Sequence, residues 1–241
     1  MKHTFLPLTA NDCIISTERI DIWQYPLDMH FPHAESLLSP EEKNRANRYH
    51  FLHHKIRFTQ ARAMLRLILA RYTQMNPREI SWVENPYGKP AMFPCSELQF
   101  NLSHSNNMAI LAIGKHHPLG IDVEFFAARP FTGIASIMFS SLEQKSLINL
   151  PSAITPLAFY NLWAQKEAFI KACGLGLHYP TQTFDVQVLP SSTYMLLDPQ
   201  KNIDWQMTSF MPQVGCCAAV CYHPSVTSIR YLAIDSRLNL E

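Results

Sequence analysis

From Ala61 to Tyr72 apolar side chains recur every three or four residues, with Met64, Leu65, Ile68 and Leu69 on the same side, and this period predicts a helix. Upstream, Ser39-Pro40-Glu41-Glu42 supplies an N-cap serine, a proline at the first helical position and acids in the first turn. The helix is therefore expected to start there and run to about Tyr72, with a break near His53. The same period covers Thr155 to Cys173, where Gly174 ends it, and a shorter helical pattern covers Ser140 to Leu150. Strand patterns appear at Leu98 to Leu102 and Met108 to Gly114, joined by the polar link Ser103-His104-Ser105-Asn106-Asn107 and preceded by a turn at Asn85-Pro86-Tyr87-Gly88-Lys89-Pro90. Further short strands are expected at Phe184 to Leu189, Trp205 to Met211, Gly215 to Tyr222 and Ile229 to Ile234. The order of elements predicts an α+β chain of two halves, residues 1–117 and 118–241, divided at His116-His117-Pro118.

Two stretches carry chemistry as well as structure. In Gly120-Ile121-Asp122-Val123-Glu124 the strand alternation turns Ile121 and Val123 inward and leaves Asp122 and Glu124 together on the other face. In Trp163 to Lys171, four-residue steps place Trp163, Glu167 and Lys171 on one side of a helix, so Glu167 can meet the carboxylate pair. Oxygen ligands from a few carboxylates suit magnesium, which takes one or two carboxylates plus water and substrate phosphates. A lysine one turn away suits a phosphate neighbour. The same pattern also fits a solvated strand face beside an ordinary surface ion pair.

Composition narrows the class. At 241 residues, 47% hydrophobic and 16% charged with net charge +1, the chain has the make-up of a folded globular protein and not of a disordered scaffold. Apolar runs fall short of the roughly 20 residues of a membrane span, and Met1 to Pro7 lacks the apolar core of a signal peptide, so a cytoplasmic protein is expected. Cys13, Cys95, Cys173, Cys216, Cys217 and Cys221 show no zinc-ligand spacing and are expected to be free thiols. Three of them lie in the Gly215 to Tyr222 strand, where cysteine serves as a small hydrophobe.

Charge is unevenly spread. Lys43, Arg45, Arg48, Lys55, Arg57, Arg62, Arg66, Arg71 and Arg78 fall in a tract with no acid, together with His50, His53 and His54. A basic helix face implies an anionic partner, whether a phosphorylated small molecule, an acidic protein or nucleic acid, or else simple solvation. Ser103 and His104 either donate to phosphate oxygens or cap a hairpin. A hydrolase triad is not evident, and Gly-x-Ser-x-Gly is absent.

Taken in order, Tyr87-Gly88-Lys89-Pro90, Phe100-Asn101-Leu102-Ser103-His104-Ser105, Gly120 to Glu124 and Trp163 to Leu177 resemble the Sfp-type 4′-phosphopantetheinyl transferases over residues 39–177, with looser similarity at both ends. The resemblance implies two similar α+β halves forming an intramolecular pseudo-dimer, with coenzyme A in the cleft between them. It implies transfer of the phosphopantetheine arm to a serine of an apo carrier protein, release of 3′,5′-ADP, and no nucleic-acid or membrane partner. A monomer is expected. Carried over residue by residue, Asp122, Glu124 and Glu167 would hold magnesium. Lys89, Ser103 and His104 would line the nucleotide and its phosphates, and Arg45 would meet the 3′-phosphate. Lys171 would stabilise the departing pyrophosphate oxygen, Trp163 and Lys166 would buttress or line the site, and Glu167 would act as general base.

The chain departs from that pattern at two positions. Glu42 stands where relatives often carry lysine in Ser-Pro-Glu-Lys, and Phe58 stands where some carry a phosphate-binding threonine, so Lys43 or Arg57 is expected to replace the lost phosphate contacts. Two other activities share these residues: a magnesium-dependent nucleotide phosphohydrolase using water, and a non-catalytic module binding an acidic protein or nucleic acid through the 43–78 tract.

Overall fold

The computed structural model describes residues 6–7, 13–28, 31, 33–94, 96–127, 131–190 and 192–234. Its strands are β1 (Leu6–Pro7), β2 (Arg19–Pro26), β3 (Ser81–Glu84), β4 (Pro90–Phe93), β5 (Leu98–Ser105), β6 (Met108–Lys115), β7 (Gly120–Phe125), β8 (Tyr194–Asp198), β9 (Ile203–Phe210), β10 (Cys216–Tyr222) and β11 (Ser228–Ala233). The helices are α1 (Ala34–Leu37), α2 (Pro40–Asn47), α3 (Leu52–Thr73), α4 (Thr132–Met138), α5 (Ser141–Ile148) and α6 (Thr155–Cys173). One sheet has the order β1-β11-β2-β6-β5, another the order β7-β10-β9-β8, and β3 and β4 form a separate hairpin.

The two larger sheets pack face to face between their long helices. Ile20, Ile22, Ile110 and Ala112 of the first sheet meet Ile121, Val123, Ala218 and Val220 of the second. On the outer face of the first sheet, Trp23, Leu111 and Ile113 pack against Met64, Leu65 and Ile68 of α3. On the outer face of the second, Cys217, Ala219 and Cys221 pack against α6 through Phe169 and its neighbours. The central strands β6 and β10 are buried on both faces, which is why they read as continuous apolar runs and not as alternating ones. Cys216, Cys217 and Cys221 are buried free thiols, as is Cys13, and Cys173 is free and half-buried; Cys95 lies outside the described residues.

Several expectations are corrected. The basic helix is two helices, broken at residues 48–51 and not at His53, and α2 carries the expected Ser39 cap as a full capping box with Glu42. Its basic face is partly internal, because Arg66 is buried against Glu42 at 2.8 Å and also donates to the Ile80 carbonyl at 2.5 Å. β5 continues through Ser105, so Ser103, His104 and Ser105 are strand residues and the turn is only Asn106-Asn107. Phe184 to Leu189 is not a strand. Its backbone is satisfied by side chains: Val186 N–H donates to Glu143 at 2.7 Å, and Asn161 donates to the Gln187 and Val188 carbonyls at 2.8 and 3.2 Å.

Strands β1, β2, β3, β4 and β8 and helices α1 and α4 lie outside the elements expected from the sequence. The final strand, read as part of the second half, pairs in the first sheet, parallel to both β1 and β2. There Arg230 donates to the buried Asp21 carboxylate at 2.7 and 3.0 Å, and Tyr72 donates to the same group at 2.7 Å. Among the described residues, no helix is long and apolar enough to cross a membrane.

Candidate functional site

The site forms where the edge strands of the two sheets, β5 and β7, run beside each other, with α3 on one side and α6 on the other. β7 and α6 approach closely because position 120 is glycine: a Cβ there would stand 2.1 Å from the Ala168 carbonyl oxygen and 2.4 Å from the Ala172 nitrogen. That contact brings the Asp122 to Glu124 face of β7 against the Trp163, Glu167 and Lys171 side of α6. Asp122, Glu124, Glu167, Lys171, Ser103, His104 and Trp163 line one cavity of about 390 Å³.

Asp122 is the electrostatic centre of that cavity. Its Oδ1 accepts from Lys171 Nζ at 2.6 Å and from Ser103 Oγ at 2.7 Å, while its buried Oδ2 has no hydrogen-bond partner among the described residues. Lys171 also donates to Ser103 Oγ at 3.2 Å and to the Ile121 carbonyl at 3.3 Å. Burial, then the Asp122 charge, pushes the Glu167 carboxyl up to about 7 despite the opposing pull of Lys171. Glu124 accepts from Ser105 Oγ at 3.2 Å.

A second cavity, of about 270 Å³, shares Leu102, His104 and Lys171 with the first, so the two are continuous. It is cationic and aromatic, lined by Arg45, Arg62 and Lys89 together with Tyr49, Phe58 and Tyr87. The Arg45 and Arg62 guanidinium groups lie over the Phe58 ring at 5.3 and 5.5 Å from its centroid. Lys89 donates to the Leu119 and Ala172 carbonyls at 3.1 and 2.9 Å, and burial holds its ammonium down at about 8. Burial, followed by Lys171 and Arg62, also lowers the His104 imidazole below its ordinary value. Asn85 Nδ2 donates to the Gly174 carbonyl at 2.8 Å, so the β3–β4 turn closes the pocket onto the end of α6.

Arg45, Lys89, Ser103, His104, Asp122, Glu124, Trp163, Glu167 and Lys171 are thus brought together by the fold. Lys166 is not. It points away from the cavity, fully buried, and donates to Glu143 at 2.9 Å, to the Thr181 carbonyl at 2.7 Å and to the Phe184 carbonyl. Its three donors are all satisfied, which corrects the expectation that it lines the cofactor site and leaves it as a buttress of α6. Lys166→Met strands a buried Glu143 carboxylate and is expected to cost about 3–5 kcal/mol of stability. Urea unfolding measures this, and adding Glu143→Gln should recover part of the loss.

At the two departures, Glu42 turns inward to its cap and to Arg66, so position 42 does not serve the pocket. Neither Lys43 nor Arg57 lines the cationic pocket; Arg62 stands there instead with Arg45. Arg62 was missed in the sequence although it lies one helical turn beyond Phe58. A strand ending at Leu102 leaves out Ser105, and the role of Asn101 depends on β5 lying beside β7, which local sequence does not announce. Asn101 Oδ1 accepts from the Ile121 N–H at 2.8 Å.

Among the described residues, no three His, Cys, Asp or Glu side chains stand close enough to form a ready-made metal centre. The donor chemistry nevertheless fits a hard cation completed by ligand oxygens. Three carboxylates face one cavity, one buried carboxylate oxygen has no hydrogen-bond partner among the described residues, and one acid is driven toward its protonated form by burial and then by its neighbour.

Comparison with known proteins gives a consistent picture. A family model described as the 4′-phosphopantetheinyl transferase superfamily matches residues 118–221, and one described as the 4′-phosphopantetheinyl transferase N-terminal region matches residues 21–116. The chain is 33% identical to the 4′-phosphopantetheinyl transferase HetI of a Nostoc species, over 91% of this chain and 94% of that one. It is 28% identical to the 4′-phosphopantetheinyl transferase Sfp of Bacillus subtilis, covering 81% and 89% of the two chains. It is 27% identical to the mouse L-aminoadipate-semialdehyde dehydrogenase-phosphopantetheinyl transferase, covering 80% and 71%.

Proposed function

The chain belongs to the 4′-phosphopantetheinyl transferase superfamily, and from that premise we propose that it transfers the 4′-phosphopantetheine group of coenzyme A to a serine of an apo carrier protein, with magnesium required and 3′,5′-ADP released. The observation that carries this reading is the continuity of the cationic, aromatic pocket with the carboxylate cavity through His104 and Lys171. A nucleotide held in the first reaches into the second with its pyrophosphate.

The residues then divide the work. Arg45, Arg62 and Lys89 hold phosphates, with Phe58 as the shelf for the two guanidinium groups. Two of the three Lys89 donors are bound to carbonyls, so its ammonium is fixed in place for a phosphate oxygen. Asp122, Glu124 and Glu167 would hold the cation, which supplies charge neutralisation of the pyrophosphate when bound. Lys171 stands between the two cavities and donates to the oxygen that departs. The serine Oγ forms the new bond to the phosphorus that carries the pantetheine, and the pyrophosphate P–O bond on the 3′,5′-ADP side breaks. Glu167 takes the serine proton, directly or through a bound water. His104 stays neutral at physiological pH and hydrogen-bonds the nucleotide without adding charge.

Incubation with coenzyme A, magnesium and one apo carrier each from fatty acid, polyketide and nonribosomal peptide synthesis is expected to add one phosphopantetheine mass to at least one carrier. Mass spectrometry reads the outcome. Unchanged masses across all three overturn the assignment, and breakdown of coenzyme A without any acceptor would point to the phosphohydrolase. We place the protein in the cytoplasm as a monomer.

A further inference from the structure

β5 and β7 are the edge strands of different sheets, and among the described residues no backbone pairing joins them. An unpaired edge normally exposes its N–H and C=O groups, yet these two edges close the site against each other. Side chains at every second position of β5 make the connection. Asn101 accepts from Ile121 N–H at 2.8 Å, Ser103 donates to Asp122 at 2.7 Å, and Ser105 both donates to Glu124 Oε2 and accepts from Phe125 N–H, each at 3.2 Å. The period of two matches strand alternation, so one face of β5 reads the β7 register.

We propose that this side-chain zip holds the two halves in register across the cleft and that Ser105 is a positioning residue which sets the conformation of Glu124. The proposal rests on the reading of Asp122, Glu124 and Glu167 as cation ligands. The Ser105 hydroxyl is tied at both ends, to a backbone N–H of the same strand that carries Glu124 and to the Glu124 carboxylate itself. It therefore fixes that carboxylate relative to the backbone of β7 as well as to β5. A partner that orients a ligating carboxylate typically accounts for a 10- to 100-fold change in metal affinity.

The test measures binding of Mn2+ to the full chain by electron paramagnetic resonance, with coenzyme A present and no carrier protein, for the wild type, Ser105→Ala, Ser105→Thr, Ser105→Cys and Glu124→Ala. Ser105→Ala is expected to weaken Mn2+ binding about tenfold and leave the Kd for coenzyme A measured without metal unchanged, because Ser105 does not line the nucleotide pocket. Ser105→Thr keeps the hydroxyl and should restore affinity. Ser105→Cys keeps the volume with a much poorer donor, and stands in for the alanine variant if that one does not fold. Wild-type affinity in Ser105→Ala or Ser105→Cys, with weakened affinity in Glu124→Ala, overturns the positioning role and leaves the ligand reading standing. Wild-type affinity in Glu124→Ala overturns both.

Discussion

Asp122→Ala is expected to lower carrier modification by roughly a hundred- to a thousandfold, the scale seen when an electrostatic contributor to a transition state is removed. Three losses coincide at this position. The proposed cation loses a ligand with a buried oxygen unclaimed by any described residue. Lys171 loses its 2.6 Å anchor and with it the position from which, in the proposed mechanism, it would meet the leaving oxygen. Ser103 loses its acceptor at 2.7 Å, which loosens β5 from β7. Asp122→Asn keeps the shape and an acceptor for Ser103, so its difference from the wild type isolates the charge.

The same carboxylate controls a pH effect whose sign is fixed. Glu167 is raised to about 7, first by burial and then by Asp122, so below that pH it is protonated and a cation must displace the proton to bind. Apparent magnesium affinity is expected to fall as pH drops through 7, approaching one proton released per cation bound. In Asp122→Asn the neighbouring charge is gone, and the midpoint should move to lower pH. Calorimetric titration of the enzyme with coenzyme A and magnesium at several pH values reads both. A midpoint that stays in place in Asp122→Asn would contradict the coupling between these two acids.

Much of this site was legible because the motifs are local. Asp122 and Glu124 share a face by strand alternation, and Trp163, Glu167 and Lys171 share one by helical spacing; neither needs tertiary information. What could not be read is where a side chain turns once its element is packed. Lys166 is adjacent in sequence to Glu167, yet helical rotation carries it to the far side of α6, where Glu143 and two carbonyls await it. Glu42 had been expected to leave a gap at the nucleotide, but its inward turn to Arg66 is set by α3, 24 residues downstream. The segment from Phe184 to Leu189 has a strand-like composition and no strand partner, because side chains of α5 and α6 take its backbone groups. At the level of architecture, two α+β halves follow from the order of the elements. Where β11 crosses into the first sheet, Arg230 pairs with Asp21, which lies 209 residues earlier. No local pattern announces such a pairing.

The second large effect is expected from a residue with no side chain. Gly120→Ala places a methyl group 2.1 Å from the Ala168 carbonyl oxygen, 2.4 Å from the Ala172 nitrogen and 2.9 Å from the Lys171 carbonyl carbon. All three are backbone atoms of α6, so no side chain can rotate to make room and the helix or the strand must shift. Overpacking of this kind costs about 1–3 kcal/mol and at times more. The displaced elements are those that carry Asp122 on one side and Glu167 and Lys171 on the other. A misplacement of about 1 Å can cost about a hundredfold in rate, so turnover per folded molecule should fall well beyond what lost stability explains. Urea unfolding gives the first quantity, and carrier labelling normalised to the folded fraction gives the second. Gly133→Ala is the matched control: a Cβ there meets no described residue within 4 Å, and the exchange lies in helix α4, where alanine is the better helix former. Gly120→Ala with wild-type stability would mean that α6 and β7 are not held together at this contact. Lowered stability with wild-type turnover in the folded fraction would mean that the contact serves the fold alone and leaves the spacing of the acids unchanged.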